Sequence, residues 1–276
     1  MEPRALDTTR SPCWAGDVMT YLSRIRINPL RAESRRLLSN PRALHGAVMG
    51  GLPGAADSER TLWRLDADNP HRPQLFVLTR SKPDWTHIVE QAGWPDADGE
   101  HAAVRDYEPL LDQIATGREF AFRLTANPVQ NTASPTKPTS SQRARLDAME
   151  DDRRARGFRL AHRTAAAQLD WFLARTERWG FAVPDARTDT PVAGLADAPP
   201  PEEPNSARDI RIIDRSRHTF TKGGRGPRVT FHSATYEGRL RITDPALFTT
   251  RLLEGIGPSK AYGCGLLTLA PLPGSG

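Results

Sequence analysis

The chain has 276 residues, 38% of them apolar, and no apolar run long enough to cross a membrane, which excludes an α-helical membrane protein and leaves room for two modest domains or one large one. Its net charge of +5 is unevenly placed: residues 205–276 hold eleven Lys/Arg against five Asp/Glu, while residues 1–204 balance at 27 against 28, so the surface suited to a polyanion such as nucleic acid belongs to the C-terminal quarter. Cys13 and Cys264 make no disulfide framework and have no His or Cys at ligand spacing; no metal or cofactor is assigned, and a reduced, cytoplasmic protein is expected.

The first eighteen residues lack the continuous apolar segment of a secretory signal and are expected to be a disordered leader, with Met19 a candidate start. Tyr21, Ser23, Ile25 and Ile27 alternate with Arg24 and Arg26, the pattern of a half-buried strand stopped by Asn28-Pro29. Asn40 can cap a helix that has Pro41 at its first position and a stripe of Leu44, Val48 and Leu52, loosened at its end by Gly50 and Gly51. Residues 61–65 and 74–79 read as strands and 107–115 as a second short helix. Phe120, Phe122 and Leu124 alternate in a fourth strand that ends at Asn127-Pro128. This β-α-β-β-α-β order is the ferredoxin-like pattern, an α+β fold with an antiparallel sheet and both helices on one face, and it assigns residues 19–128 to a first domain.

Residues 129–157 are Pro/Ser/Thr-rich and then charged, and read as a flexible loop whose Glu150-Asp151-Asp152 run is solvated rather than metal-binding. A second domain over 158–276 opens with a helix near His162, where Ala165, Leu169, Phe172 and Leu173 recur at helical spacing and Gly180 supplies the stop. Its residues 184–207 read as a disordered insert. Residues 210–220 and 228–233 are hairpin arms around Lys222, Gly223, Gly224, Arg225 and Gly226, and 236–243 continue as strand. Asp244-Pro245 begins a helix with a Leu247, Phe248 and Leu252 stripe, and a strand over 266–269 closes the chain. The second half thus repeats the first in distorted form.

Between that last helix and strand lies Gly255-Ile256-Gly257-Pro258-Ser259-Lys260-Ala261-Tyr262-Gly263-Cys264-Gly265. Glycines around one lysine, where a helix returns to a strand, suit backbone N–H groups and an ammonium turned to a phosphate; a glycine-punctuated turn closing a small domain is the alternative. The loop fits neither common nucleotide template. A P-loop needs Gly-Lys-Ser/Thr, and a dinucleotide fingerprint needs glycine where Lys260 stands.

Several stretches together resemble one family: Tyr21-Leu22-Ser23-Arg24, the short helix carrying His45, Ala126-Asn127-Pro128, Leu169-Asp170-Trp171-Phe172, Tyr236-Glu237-Gly238-Arg239-Leu240, and the glycine loop through Leu269-Ala270-Pro271. From about Met19 to Pro271 the chain is similar to the CasE (Cse-type) CRISPR RNA-processing endoribonucleases of type I-E systems, within the RAMP superfamily. The resemblance implies tandem ferredoxin-like, RNA-recognition-motif-like domains that bind the CRISPR repeat stem-loop. It further implies metal-independent cleavage at the base of the stem, leaving a 2′,3′-cyclic phosphate and a 5′-hydroxyl. Retention with the crRNA among the other Cascade subunits follows from it too, with no membrane and no small-molecule cofactor.

Cleavage of RNA by its own 2′-hydroxyl requires a proton removed there and a proton delivered to the leaving 5′-oxygen, work that suits imidazole near neutral pH. A helix-surface histidine is by itself more often a bystander; the resemblance matches His45 to the family's catalytic histidine. Arg42, three residues earlier on the same face, stands where several relatives carry a tyrosine that assists catalysis. That role is not carried over, and Arg42 is expected either to steady the scissile phosphate or to be a solvated helix-start arginine. Lys222, Arg225 and Arg228 near the hairpin tip, with Arg215 and Arg217 on the adjoining arm, are the expected grip on the RNA duplex. Arg24 and Arg26 of the first strand, and Gly255, Gly257, Ser259, Lys260, Gly263 and Gly265 of the loop, complete the expected RNA-binding set. His232 is expected to pack. Two other readings stay open: a catalytically silent RNA-binding subunit, and a small-molecule enzyme that uses the loop for a nucleotide.

Overall fold

Strand β1 (Tyr21–Arg26) follows its alternation, with Ser23 and Ile25 fully buried and Arg24 exposed. The computed structural model describes residues 19–54, 60–95, 99–133, 140, 143, 158–186, 207–221 and 228–272. The leader, most of 134–157, the 187–206 part of the insert and the hairpin tip at 222–227 lie outside the described residues. With β2 (Leu62–Asp66), β3 (Gln74–Thr79) and β4 (Ala102–Asp106), β1 forms an antiparallel sheet in the order β2-β3-β1-β4.

Two short helices cover one face of this sheet. Asn40 alone separates α1 (Ala32–Ser39) from α2 (Pro41–Met49): its amide bonds back to Leu37, and its side chain accepts from the amides of Arg42 and Ala43. Leu37, Leu44 and Val48 bury against Ile25, Trp63, Leu75 and Val77, in a core completed by Ile88 and Ala92 of α3 (Thr86–Ala92).

That helix and β4 correct the sequence reading. Residues 107–115 supply only the single turn α4 (Glu108–Leu111), and α3 makes the crossover to the edge strand β4. An edge strand that buries only Ala103 shows little alternation, which is why its sequence is unremarkable. The strand expected to finish the first sheet, β5 (Glu119–Ala126), instead lies in the middle of the second. Its alternation is as read, since Phe120, Phe122, Leu124 and Ala126 are buried. Alternation fixes which side chains point inward but not which strand lies alongside.

The second sheet combines β5 with β8 (Phe181–Ala182), β9 (Ile210–Thr221), β10 (Arg228–Ile242) and β11 (Leu267–Ala270), in the order β11-β5-β10-β8 with β9 paired along β10. Taken as first to fourth strands, β5, β8, β10 and β11 repeat the spatial order of the first sheet, and the fold is a tandem of ferredoxin-like units. Helices α5 (Ala165–Leu173) and α6 (Pro245–Glu254) cover it, with Thr164 and Asp244 as side-chain N-caps. Phe122 stacks on Phe172 at 5.6 Å, and Phe181 and Phe248 extend that core. Gly180 closes a turn of 3-10 helix at Glu177–Trp179, not α5 itself. Val129–Thr132, read as loop, is strand β6 and pairs with β7 (Phe158–Ala161). Among the described residues no helix is long and apolar enough to cross a membrane.

Candidate nucleic-acid interface

The cap at Asn40 fixes the start of α2, and the Leu44/Val48 stripe fixes its rotation, so Arg42 is left exposed and His45 half-buried on the helix flank. Nδ1 of His45 is enclosed without a hydrogen-bond partner, which leaves Nε2 as the ring nitrogen open to another group. Burial holds the His45 pKa below its ordinary value, which favours the neutral ring.

Helix α2 packs against the 3-10 turn at Lys260–Tyr262, in the middle of the glycine loop. More than 200 residues apart in the chain, the two segments meet across the joint between the units. Strand β2 explains the fit. A Cβ on Gly255 would lie 2.6 Å from Leu62, and one on Gly263 would lie 2.6 Å from the ring of Trp63, so only glycine lets the loop lie flat on this strand. Gly257 and Gly265 fit against Trp171 and the Ile256 carbonyl. Close packing thus accounts for Gly255, Gly263 and Gly265, whereas Gly257 has room beside Trp171 and is required by its φ of +77°. Lys260 is half-buried and donates to the Glu254 carbonyl at 2.6 Å; burial first, then Arg60, lowers its pKa. Arg60 is thus a cation beside the loop that nothing in the linear sequence marks. Burial pushes the Cys264 thiol up to about 12, which makes it a packing residue.

The basic hairpin is tied to the same turn. Phe220 of β9 and Phe231 of β10 pack on Tyr262, with ring centroids 4.9 and 5.7 Å away, and Cys264 joins this cluster. Tyr262, which the sequence reading passed over, thereby joins the hairpin to the loop beside α2. On the hairpin, Arg217 is exposed, whereas the exposed Arg215 donates to Gln168 Oε1 at 2.8 Å and to the Arg163 carbonyl, bracing β9 against the start of α5. His232 is half-buried; burial, then Arg163, Arg217 and Arg215, lowers its pKa, so it sits inside a cationic group. Lys222 and Arg225 lie outside the described residues, as does the side chain of Arg228.

Arg215, Arg217 and His232 alternate with Phe220 and Phe231 and so stand on the hairpin face turned away from Tyr262, beside Arg163, and other expected residues also fall outside this group. Arg24 and Arg26 project from the face of the first sheet opposite Ser23 and Ile25, hence opposite α2 and His45. A cavity of about 680 Å³ opens beneath α2 and the loop, with Leu44 and Trp63 on one wall and Asp66, Asp68, Arg123 and Glu237 on the other. Ser216, His218 and Ser233 of the hairpin also line it, and its carboxylates outnumber its arginine, so a polyanion belongs outside this cavity.

A family model described as CRISPR associated protein matches residues 20–271. The chain is 28% identical to a CRISPR-associated endoribonuclease Cse3 of Thermus thermophilus, over 91% of this chain and all of that protein. It is 25% identical to a CRISPR system Cascade subunit CasE of Escherichia coli, over 76% of this chain and 89% of that one. Among solved structures, Thermus thermophilus Cse3 bound to an RNA representing a pre-cleavage complex superimposes with a TM-score of 0.65 at 25% identity, covering 92% of this chain and 100% of that one.

Proposed function

Since this chain belongs to the CRISPR-associated protein family, we propose that it is a CasE-type endoribonuclease of the cytoplasm, which binds the repeat stem-loop of a CRISPR transcript, cuts it at the base of the stem and remains with the product as a Cascade subunit. The observation that carries this reading is the convergence on one turn: α2 with His45 and Arg42 packs on Lys260–Tyr262, and the basic hairpin packs on Tyr262.

The chemistry follows from that grouping. The 2′-oxygen beside the scissile bond attacks phosphorus while its proton is removed, the bond to the 5′-oxygen breaks, and that oxygen takes a proton, leaving a 2′,3′-cyclic phosphate and a 5′-hydroxyl. Neutral His45 exchanges one of these protons through Nε2. Arg42 and Lys260 offset the charge that builds on the phosphorane, with Arg60 close to Lys260. Arg217 and the hairpin tip grip the duplex by phosphate and shape, because the deep A-form major groove resists side-chain reading. The nucleophile comes from the RNA itself, so the reaction as proposed needs no metal.

Incubation with the cognate repeat hairpin in EDTA tests this. Wild-type protein should yield the cyclic-phosphate product, and His45→Ala should bind without cutting. Loss of cutting in chelator, or full cutting by His45→Ala, contradicts the mechanism. A second reading, an RNA-binding subunit that does not cut, draws on Arg42 standing where relatives carry tyrosine; tight binding by the wild type with no product would favour it.

A further inference from the structure

We propose that Arg64 is a positioning residue for cleavage, one that sets the glycine loop of the second unit in register with the His45 helix of the first; this rests on the reading of His45 and the loop above. Arg64 is 2% exposed and is the largest fully buried side chain among the described residues. A buried guanidinium is costly unless its donors are met, and here they are met on both sides of the joint.

Within the first sheet, Nε and Nη2 form a fork on Asp66 of the same strand at 2.6 and 2.9 Å, and the guanidinium carbon lies 5.4 Å from the ring centroid of Phe76 on β3. Across the joint, Nη1 reaches the Arg123 carbonyl at 2.9 Å, the Leu266 carbonyl at 3.2 Å and Thr268 Oγ1 at 2.9 Å. Leu266 follows Gly265 directly, so Arg64 holds the end of the loop while Leu62 and Trp63 hold Gly255 and Gly263. Trp63 also packs in the core with Leu44 and Val48 of α2. Three consecutive residues of one strand therefore reference both the loop and the His45 helix to the same backbone. Apolar contacts at Leu62 and Trp63 tolerate sliding, whereas the directional bonds of a planar fork do not.

Misplacement of reacting groups by about 1 Å can cost about 100-fold in rate, while the exposed phosphate-gripping side chains of the hairpin, which Arg64 does not touch, keep most of the affinity. Arg64→Met should therefore lower the single-turnover rate about 10-fold to 100-fold, with the Kd for a repeat hairpin carrying 2′-deoxyribose at the cut site changed less than about 3-fold. Asp66 keeps Arg123 as its partner at 3.2 Å in this variant, so no carboxylate is stranded. Arg64→Lys, which keeps the charge without the fork, should not restore the rate. Should Arg64→Met fail to fold, Thr268→Val decides, because it removes one acceptor and no charge; it should slow cutting with affinity unchanged.

Unchanged rates in these variants overturn the proposal. So does a parallel fall of rate and affinity in Thr268→Val, which would make the contact a matter of stability alone. A wild-type protein that does not cut at all sinks the cleavage reading and this inference with it, whereas wild-type cutting that Arg64→Met matches removes this inference only.

Discussion

Asn127 Nδ2 donates to Ser259 Oγ at 2.8 Å, and Ser259 is the one non-glycine among the described residues in the left-handed region, at φ +66°. The bond crosses from the end of β5 to the middle of the glycine loop, from a side chain only 3% exposed. A left-handed L-residue costs about 1–2 kcal/mol, and a satisfied hydrogen bond contributes about 1 kcal/mol, so Asn127 offsets much of the strain. Asn127→Ala should lower stability by about 1–2 kcal/mol and slow cleavage. Ser259→Gly loses the same bond but relieves the backbone, and its stability should stay within about 1 kcal/mol of wild type. Denaturant unfolding of the pair separates bond from strain.

Two glycines predict opposite outcomes. Gly263→Ala forces a methyl group to 2.6 Å from the Trp63 ring at φ +80°, and should destabilise by about 1–3 kcal/mol with slower cutting. Gly46 lies in α2, where an added methyl group would meet nothing within 4 Å, so Gly46→Ala should stabilise by about 0.5–1 kcal/mol through helix propensity. Thermal melts of both variants check the signs.

The two arginines expected to share a role on the hairpin arm should behave differently. Arg217→Ala, at an exposed position, should leave the melting temperature unchanged and reduce the slope of log affinity against log salt by nearly one. Arg215→Ala strips the brace to Gln168 and the Arg163 carbonyl, so it should lower stability as well as affinity. Salt titrations alongside melts distinguish them.

The pH response follows from four histidines, His45, His162, His218 and His232, all held below the ordinary value of 6.5, with burial the first cause in each. The folded state binds these protons less readily than the unfolded chain. Stability is therefore full above pH 6.5 and is lost as the pH falls from there through the lowered folded values. In kcat/KM, which reports the free enzyme, the inflection due to His45 should lie below 6.5. Activity falling on the acid side would make His45 the base, and activity falling on the alkaline side would make it the acid. Values of kcat/KM between pH 5 and 8, with His45→Ala as control, give the answer.

Much of the fold was legible because local chemistry dictated it. Asn40-Pro41 and Asp244-Pro245 start their helices where the capping pattern places them, and the alternation in β1 and β5 sorts buried from exposed side chains correctly. The elements that escaped were α1, α3, β4 and the β6–β7 pair, short or peripheral segments whose apolar content is too small to show a period. Of the candidate site, His45 and the loop were marked by residue type together with the family resemblance, but Arg60, Tyr262 and Arg64 carry no local signal.

By itself, then, the sequence determined the main strands and capped helices, their inward faces and the placing of positive charge in the last quarter, since each depends on neighbours within a turn or a strand. Only the tertiary structure decided that β5 leaves the first sheet for the second, that Arg24 and Arg26 face away from His45, and that the loop glycines serve contact with Leu62 and Trp63. The reason is physical: strand partnership, and the joint closed by Arg64 between residues some 200 positions apart, are set by long-range packing and by the need to satisfy buried donors, to which no local pattern in the chain is bound.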